Sequence, residues 1–428
     1  MREKRVTSRT RPLTHPVTLT LDGSEIQAER GEPVAASLVA AGKLVVARSP
    51  KFHRPRGPSC MRAACDGCLA RVDGKPNVMT CMIAARDGMS VVSQNRLGAR
   101  ETDLLRMADW FFPDGMNHHE LFAGVPGIQN VMQLFARRVA GLGRLPGEGA
   151  ENALPRRAQR RAADVVIVGG GPAGMAIATK LAAARRSVEV IDDQLAIGGS
   201  AGALHGAVAE SFASIRASFM NLVAKGAIRA RPETVAGGLF EHDLLVVGPE
   251  GAEVLEAKAL VLACGAHDGV LAFEGNDVPG VMSARAGCVL LAHGVAPGSK
   301  VVVVEPPGGG PFGAVFAAQV PSATLVRGEP VRVKGSNRAK GVVVRGLDGK
   351  EQSLACDAVL IDAPRSPAYE LAEQAGAELF HEPRGYVVRT EGGRVKRGVF
   401  ALGELTGTPL DARAIAEEAG RVAATLLA

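Results

Sequence analysis

The chain has 428 residues, 46% of them apolar and 22% charged, with a formal net charge of +6. That length suits two or three domains with a sizeable core, and no apolar run reaches the length of a membrane-spanning helix. Aromatic residues make up only 4% and no nucleic-acid recognition motif accompanies the basic charge, so anionic cofactors or an acidic partner surface are expected rather than nucleic acid.

The amino-terminal residues 1–15 are polar and basic, without the apolar stretch of a secretory signal, and a cytoplasmic location is expected. Residues 17–21 (Val-Thr-Leu-Thr-Leu) alternate like a half-buried strand, Asp22-Gly23 signals a turn, and a return strand follows over 24–28. A helix is expected over 33–41, with Pro33 in its first turn and Gly42 ending it. A hairpin followed by a helix is how a β-grasp domain begins. The next loop, 49–57, is basic and broken by prolines. A solvated turn and a positive lining for a flavin phosphate or a partner are equally compatible with its spacing.

Four of the seven cysteines follow: Cys60, Cys65, Cys68 and Cys81, in a C-x4-C-x2-C-x12-C pattern. Three thiolates on one loop and a fourth beyond a hairpin, whose turn is supplied around Asp73-Gly74, are able to surround a [2Fe–2S] cluster, and the x4, x2 spacing is that of plant-type ferredoxins. Zinc is the competing metal. Structural zinc sites usually pair their cysteines in two short knuckles, whereas here the third shares a loop with the first two, which favours iron–sulfur.

Between 96 and 162, helices are expected over 100–112 and 128–142, the second with an apolar stripe at Ile128, Val131, Met132, Phe135 and Val139 that reads as packing. His118-His119 lacks matching ligands and reads as surface, and 144–163, rich in Pro, Gly and Arg, reads as a flexible tether.

The most informative stretch starts at Asp164. Val165 to Val168 is a short run of β-branched residues, as a strand buried on both faces should be. Gly169, Gly171 and Gly174 then give G-x-G-x-x-G, a helix is expected over 175–184, and a second strand over 188–191 ends in Asp192. Strand, tight turn, helix amino end and ribose-directed acid, in that order, are what a dinucleotide diphosphate requires. Gly198-Gly199 offers bare backbone nearby. A helix over 207–225 and a strand over 227–231 come next, then the buried strand 260–263 with a small-residue turn at Cys264-Gly265-Ala266. The strand at Gly398-Val399-Phe400-Ala401-Leu402 ends in Gly403-Glu404, and a last helix is expected from Pro409 to the end, capped by Thr408. The positive end of that helix would favour the anionic reduced form of a flavin.

These motifs together resemble a two-dinucleotide-binding-domain flavoprotein, and Ala47 to Gly57, Gly265-Ala266-His267-Asp268 and Gly275 to Met282 narrow the resemblance. They are similar to the α subunit family of heterotetrameric sarcosine oxidase, with hydrogen cyanide synthase and the opine, proline and hydroxyproline dehydrogenases, while Cys60 to Cys81 resembles their ferredoxin-like subunit. The implied fold is α/β: a Rossmann-like FAD domain with a reduced inserted NAD-type domain, preceded by a β-grasp ferredoxin-like domain. The implied boundaries are 15–95 for the β-grasp domain, 96–162 for a helical linker, 163–296 and 356–428 for the two parts of the FAD domain, and 297–355 for the insert. The resemblance places FAD contacts on Gly169, Gly171, Pro172, Ala173, Gly174, Asp192, Gly199, Val235 (adenine, through the backbone), Ala263, Gly265, Gly403 and Glu404. It implies a partner subunit of the glycine- or D-amino-acid-oxidase type in which a substrate C–N bond is oxidised, and some relatives carry FMN where the subunits meet. The chain itself would pass electrons from FAD to the cluster.

Several departures qualify this expectation. The folate-binding carboxy-terminal part of a sarcosine oxidase α subunit is missing, so folate chemistry is not expected, and no second cysteine cluster follows the FAD region. Cys264 stands where the family has Thr, and Glu404 where Asp is common. In the insert, Val301 to Val304 is followed by Gly308, Gly310 and Gly313 at the G-x-G-x-x-G spacing, but Glu305-Pro306-Pro307 intervenes. That puts a carboxylate near the phosphate seat and removes two N–H donors. The next strand, 323–326, ends in Arg327 instead of an acid. A vestigial domain is therefore expected in preference to a working NAD(P) site, although Arg327 could in principle suit a 2′-phosphate. The alternative function is a self-sufficient NAD(P)H-dependent reductase; a third is an assembly subunit without flavin.

Overall fold

A computed structural model describes residues 8–49, 52–95, 158–241 and 243–428, with a few positions between 126 and 134. The helix expected over 100–112, His118-His119 and most of 128–142 and 144–157 lie outside the described residues. Of the apolar stripe expected to pack, Val131 is 64% exposed. The chain divides into two compact units: Met1–Asn152 with Leu271–Val304 and Ser322–Ile361, and Ala153–Val270 with Glu305–Pro321 and Asp362–Ala428.

Among the described residues the first unit contains a two-stranded sheet, Ala47–Arg48 with Pro55–Arg56, and two large ones. One has the order Ser24–Glu29, Pro16–Leu21, Ser90–Ser93, Leu69–Val72, Lys75–Met79. Its first hairpin is antiparallel and turns at Asp22-Gly23, while Pro16–Leu21 runs parallel to Ser90–Ser93. The alternation read in the sequence puts Val17, Leu19 and Leu21 inside, against Leu38 of the helix Val34–Ala40 and against Val46, Val72 and Val91. Burying each such aliphatic side chain contributes roughly 1.5–3 kcal/mol. Hairpin, buried helix and a central parallel pair make the β-grasp arrangement. The loop carrying Cys60, Cys65 and Cys68 precedes Leu69–Val72, and Cys81 follows Lys75–Met79 in a short 3-10 turn, Thr80–Met82.

The other sheet has the order Val281–Ser283, Ala358–Ile361, Val301–Glu305, Thr324–Gly335, Ala339–Gly346, Glu351–Leu354. Its first three strands are parallel, and Ala358–Ile361 and Val301 to Val304 are unbroken apolar runs. The strand expected to stop at Arg327 instead runs on to Gly335. Residues from Gly328 to Gly335 pair antiparallel with Ala339–Gly346, so the ladder sets the end and Arg327 lies within the strand.

The second unit is built on the sheet Ile228–Arg231, Val188–Ile191, Gln159–Val168, Gly251–Leu262, Asp243–Gly248, Val235–Phe240, with Val399–Ala401 also parallel to Gly251–Leu262. The first four strands are parallel. Gln159–Val168 begins inside the segment read as a tether, because Gln159 to Ala163 pair with Glu253 to Ala257. The helix expected over 207–225 is two, Gly206–Ser211 and Ala213–Ala224, interrupted at the buried Phe212. The last helix is Ala412–Leu427, and its cap is Asp411, whose side chain accepts the Ala414 N–H at 2.8 Å. Thr408 and Pro409 precede it, since the acid two positions on satisfies the N3 donor better placed for it. That helix packs against Pro172–Ala183.

Four strands of this sheet each contribute one member of a group of charges. Arg161 and Arg231 both bond Glu189, at 2.9 and 2.7 Å, and both bond Glu253, at 3.1 and 3.2 Å. Glu189 and Arg231 are buried, so the partners compensate each other's desolvation.

Candidate cofactor sites

In the second unit the glycine-rich turn joins Gln159–Val168 to the helix Pro172–Ala183. Gly169 has φ +104°, and a Cβ there would collide with the carbonyl oxygen of Ala263, so the turn tolerates no side chain at this point. Gly171 is the N-cap and Pro172 the first helical residue; no side chain caps the helix, which leaves its amino end to an external acceptor. Gly174 has no room for a Cβ against Gly169, and Ala173 is buried. Across the turn, a Cβ on Gly171 would come 3.9 Å from the Cα of Gly199. Two bare backbones thus face one another, a cradle that a side chain would fill.

Asp192 ends Val188–Ile191 and is 7% exposed. Its Oδ2 accepts the Gly170 N–H at 2.6 Å and its Oδ1 the Gln194 N–H at 2.9 Å. The carboxylate therefore fixes the turn as well as standing where a ribose is expected, and an ionised carboxylate retains further acceptor sites. Its carbonyl oxygen accepts the Thr234 N–H, which brings Val235, the half-exposed first residue of Val235–Phe240, to the same end of the sheet.

The remaining expected contacts gather at the carboxyl ends of Gly251–Leu262 and Val399–Ala401. A Cβ on Gly265 would lie 3.8 Å from Oε2 of Glu404, and a Cβ on Gly403 would lie 2.8 Å from Ala173. Two residues absent from the sequence reading hold this corner. Glu418, buried on the last helix, accepts the Gly403 N–H at 2.8 Å and bonds the Thr406 hydroxyl at 2.7 Å. Arg365 reaches Oε1 of Glu404 at 2.8 Å, Oγ of Ser200 at 2.7 Å and the Ala266 carbonyl at 3.3 Å. Eleven of the twelve residues expected to meet FAD thus lie at or beside the carboxyl ends of parallel strands, the place where open α/β sheets take ligands, and Val235, which opens an antiparallel strand, is tied to that end through Thr234 and Asp192. Backbone donors and an uncapped helix end fit a diphosphate, so Gly171, Pro172, Ala173 and Gly199 would hold that part of FAD.

The second glycine turn is different. The carboxylate expected there from Glu305 is joined by Asp362, whose Oδ2 accepts the Gly313 N–H at 2.7 Å. Burial pushes the Asp362 carboxyl up to about 6.

In the first unit the four cysteines form two pairs. Cys60 and Cys65 have their sulfurs 3.2 Å apart. Cys68 bonds Cys81, and Thr80 bonds the Cys68 carbonyl at 2.8 Å. Within each pair the partner's S–H lowers one thiol, Cys65 to about 6 and Cys68 below its ordinary value, and the other is raised. Backbone groups of Arg62, Ala63, Ala64 and Gly67 also bond the sulfurs. To turn those amides inward, Met61 and Ala63 adopt φ of 55° and 61°, a region that non-glycine residues rarely enter. Two thiol pairs ringed by N–H donors fit a two-metal, anionic cluster better than one tetrahedral zinc.

The basic loop is mostly structural. Arg48 is buried and donates to the His53 carbonyl at 2.8 Å, His53 is buried with φ 51°, and Arg56 pairs with Asp277 at 2.6 Å.

Known proteins resemble this chain over both of these regions. Residues 14–96 match the family described as 2Fe-2S iron-sulfur cluster binding domain, and residues 163–327 match the family described as pyridine nucleotide-disulphide oxidoreductase. The chain is 28% identical over 359 residues to sarcosine oxidase subunit alpha of Rhizobium meliloti (strain 1021), covering 77% of this chain and 35% of that subunit. Over 86 residues it is 33% identical to hydrogen cyanide synthase subunit HcnA of Pseudomonas aeruginosa, covering 20% of this chain and 82% of HcnA. The crystal structure of L-proline dehydrogenase from P. horikoshii superposes with a TM-score of 0.71 at 22% identity, covering 99% of this chain and 75% of that one, a likeness of fold. The chain spans about a third of the length of the sarcosine oxidase subunit it matches.

Proposed function

Because this chain belongs to the oxidoreductase family of the sarcosine oxidase α subunit and hydrogen cyanide synthase, we propose that it is the FAD- and [2Fe–2S]-containing electron-transfer subunit of a multisubunit oxidoreductase acting on the CH–NH bond of an amino or imino acid. The substrate is oxidised in a partner flavoprotein subunit of the glycine- or D-amino-acid-oxidase type, FMN is a candidate at the subunit boundary, and the complex works in the cytoplasm. The observation that carries this reading is the presence on one polypeptide of two thiol pairs in a ferredoxin-like domain and an open dinucleotide cradle.

When bound, FAD supplies an acceptor that exchanges electrons in pairs or singly, and the cluster supplies a one-electron carrier. The protein's own residues bind and orient. The backbone of Gly171, Ala173 and Gly199 would hold the diphosphate, and Asp192, which accepts the Gly170 and Gln194 N–H groups, would meet the ribose. Glu418 fixes the backbone of Gly403, and Arg365 holds Glu404 beside Gly265. Cys60, Cys65, Cys68 and Cys81 would hold the cluster through their thiolates.

The deciding experiment is anaerobic purification with whatever subunit binds the chain, followed by iron, sulfide and flavin counts and identification of that subunit. One flavin and two irons per chain, with an amine-oxidising flavoprotein attached, are expected; zinc, or no flavin, would sink the reading. Rapid flavin bleaching of the isolated chain by NADH or NADPH would favour the self-sufficient reductase instead. Cys65→Ser should abolish the cluster's visible absorption and leave FAD bound, and unchanged iron content in that variant would contradict the ligand assignment.

A further inference from the structure

The inserted turn keeps its glycines but already contains an anion. Asp362 follows the strand Ala358–Ile361 and is 4% exposed. Its Oδ2 accepts the N–H of Gly313, the second residue of the helix Phe312–Gln319. Its Oδ1 stands 3.0 Å from where a Cβ on Gly310 would be, and its carbonyl oxygen accepts the Gly310 N–H at 3.3 Å. The same carbonyl oxygen lies 2.5 Å from where a Cβ on Gly309 would be. Three oxygens of one residue therefore line the glycines whose bare backbone a diphosphate needs in order to approach a helix amino end.

We propose that Asp362 is a specificity-determining residue: its carboxylate occupies the diphosphate seat of the second glycine turn and excludes pyridine nucleotides from the chain. The proposal rests on the reading that flavin fills the first turn. An incoming diphosphate meets like charge at the seat, and the Gly313 N–H it would use is already bonded. Glu305 and Asp268 add negative charge around the same carboxyl, and Arg365, the cation beside it, is itself paired with Glu404. The segment cannot easily swing away, because Arg365, three residues on, is held by Ser200, Glu404 and the Ala266 carbonyl, with its guanidinium 5.3 Å from the centre of the Phe312 ring.

The test uses the FAD-loaded full chain, so that the first turn is filled, with ADP and NADH as probes in calorimetric titrations. The wild type should show no saturable binding of either at millimolar concentration. Asp362→Gly should gain ADP affinity by about tenfold or more, the equivalent of one decade in Kd, and Asp362→Asn, which keeps the shape without the charge, should gain less. Should Asp362→Gly fail to accumulate, the Asn variant carries the same expected direction. Saturable NADH binding to the wild type that Gly310→Asp abolishes would overturn the proposal, as would folded variants of both kinds without any gain. Loss of the flavin band before titration would count against the first-turn reading alone, so the two failures are distinguishable.

Discussion

The turns at 169–174 and 308–313 have the same glycine spacing, each after an apolar strand and before a helix, and each has an acid nearby. In the first, Asp192 bonds Gly170, a residue of the loop, and the helix Pro172–Ala183 keeps its amino end without a side-chain cap. In the second, Asp362 bonds Gly313, a residue of the helix itself. One acid shapes a seat and the other sits in it. Glycine spacing reports how a backbone bends; whether the bend receives an anion depends on which N–H the neighbouring strand's acid takes.

The sharpest way to break the contrast is Gly169→Val. A side chain there meets the Ala263 carbonyl in a left-handed backbone conformation, a cost of about 3 kcal/mol or more. Flavin content by absorbance should fall to near zero, and full occupancy would refute the cradle. Next comes the pH dependence of the second turn. Burial raises the Asp362 carboxyl from 3.8 to about 6, so the fold favours its protonated form. Its contribution to stability is complete below about pH 4 and is lost as pH rises through about 6, a change of about 3 kcal/mol at most. Urea midpoints of Asp362→Asn against wild type should converge near pH 4 and separate, with the variant higher, by pH 7. Parallel profiles would mean that the group titrates normally.

Glu418→Ala removes the acceptor of the buried Gly403 N–H and should cost about 1–3 kcal/mol. Flavin affinity, measured by fluorescence titration, should drop with it; an unchanged Kd would show that Glu418 serves the fold alone. The smallest effect is expected for Gly308→Ala, at φ +74° with Pro364 its nearest neighbour at 3.6 Å. About 1 kcal/mol of backbone strain, read from the thermal midpoint, should appear with no change in flavin content. A flavin loss there would show that the second turn does bind it.

Local pattern made much of this legible. The strand at 165–168, the glycine spacing, the hairpin at Asp22-Gly23 and the cysteine loop are each specified by neighbours in sequence, so periodicity and turn chemistry suffice to find them. What escaped depends on partners from distant segments. Glu418 follows Glu417 on an amphipathic helix, and only packing decides that one faces Gly403 while the other pairs with Arg413 at the surface. Arg365 is one arginine among many until Ser200 and Glu404 surround it. Asp362 had a readable signal, an apolar four-residue strand ending in an acid just as 188–191 ends in Asp192. The left-handed Met61 and Ala63 had none, because the sulfurs they serve impose the conformation.

The charge quartet of Arg161, Glu189, Arg231 and Glu253 has a consequence for how the central sheet is assembled. Side chains on a strand alternate sides, so sliding Val188–Ile191 or Ile228–Arg231 by one residue would send a glutamate or an arginine to the opposite surface and abandon its counter-ions in an apolar layer. Misaligned versions of the sheet are thereby penalised, and the cradle at its edge inherits its alignment from four charges carried on the strands themselves.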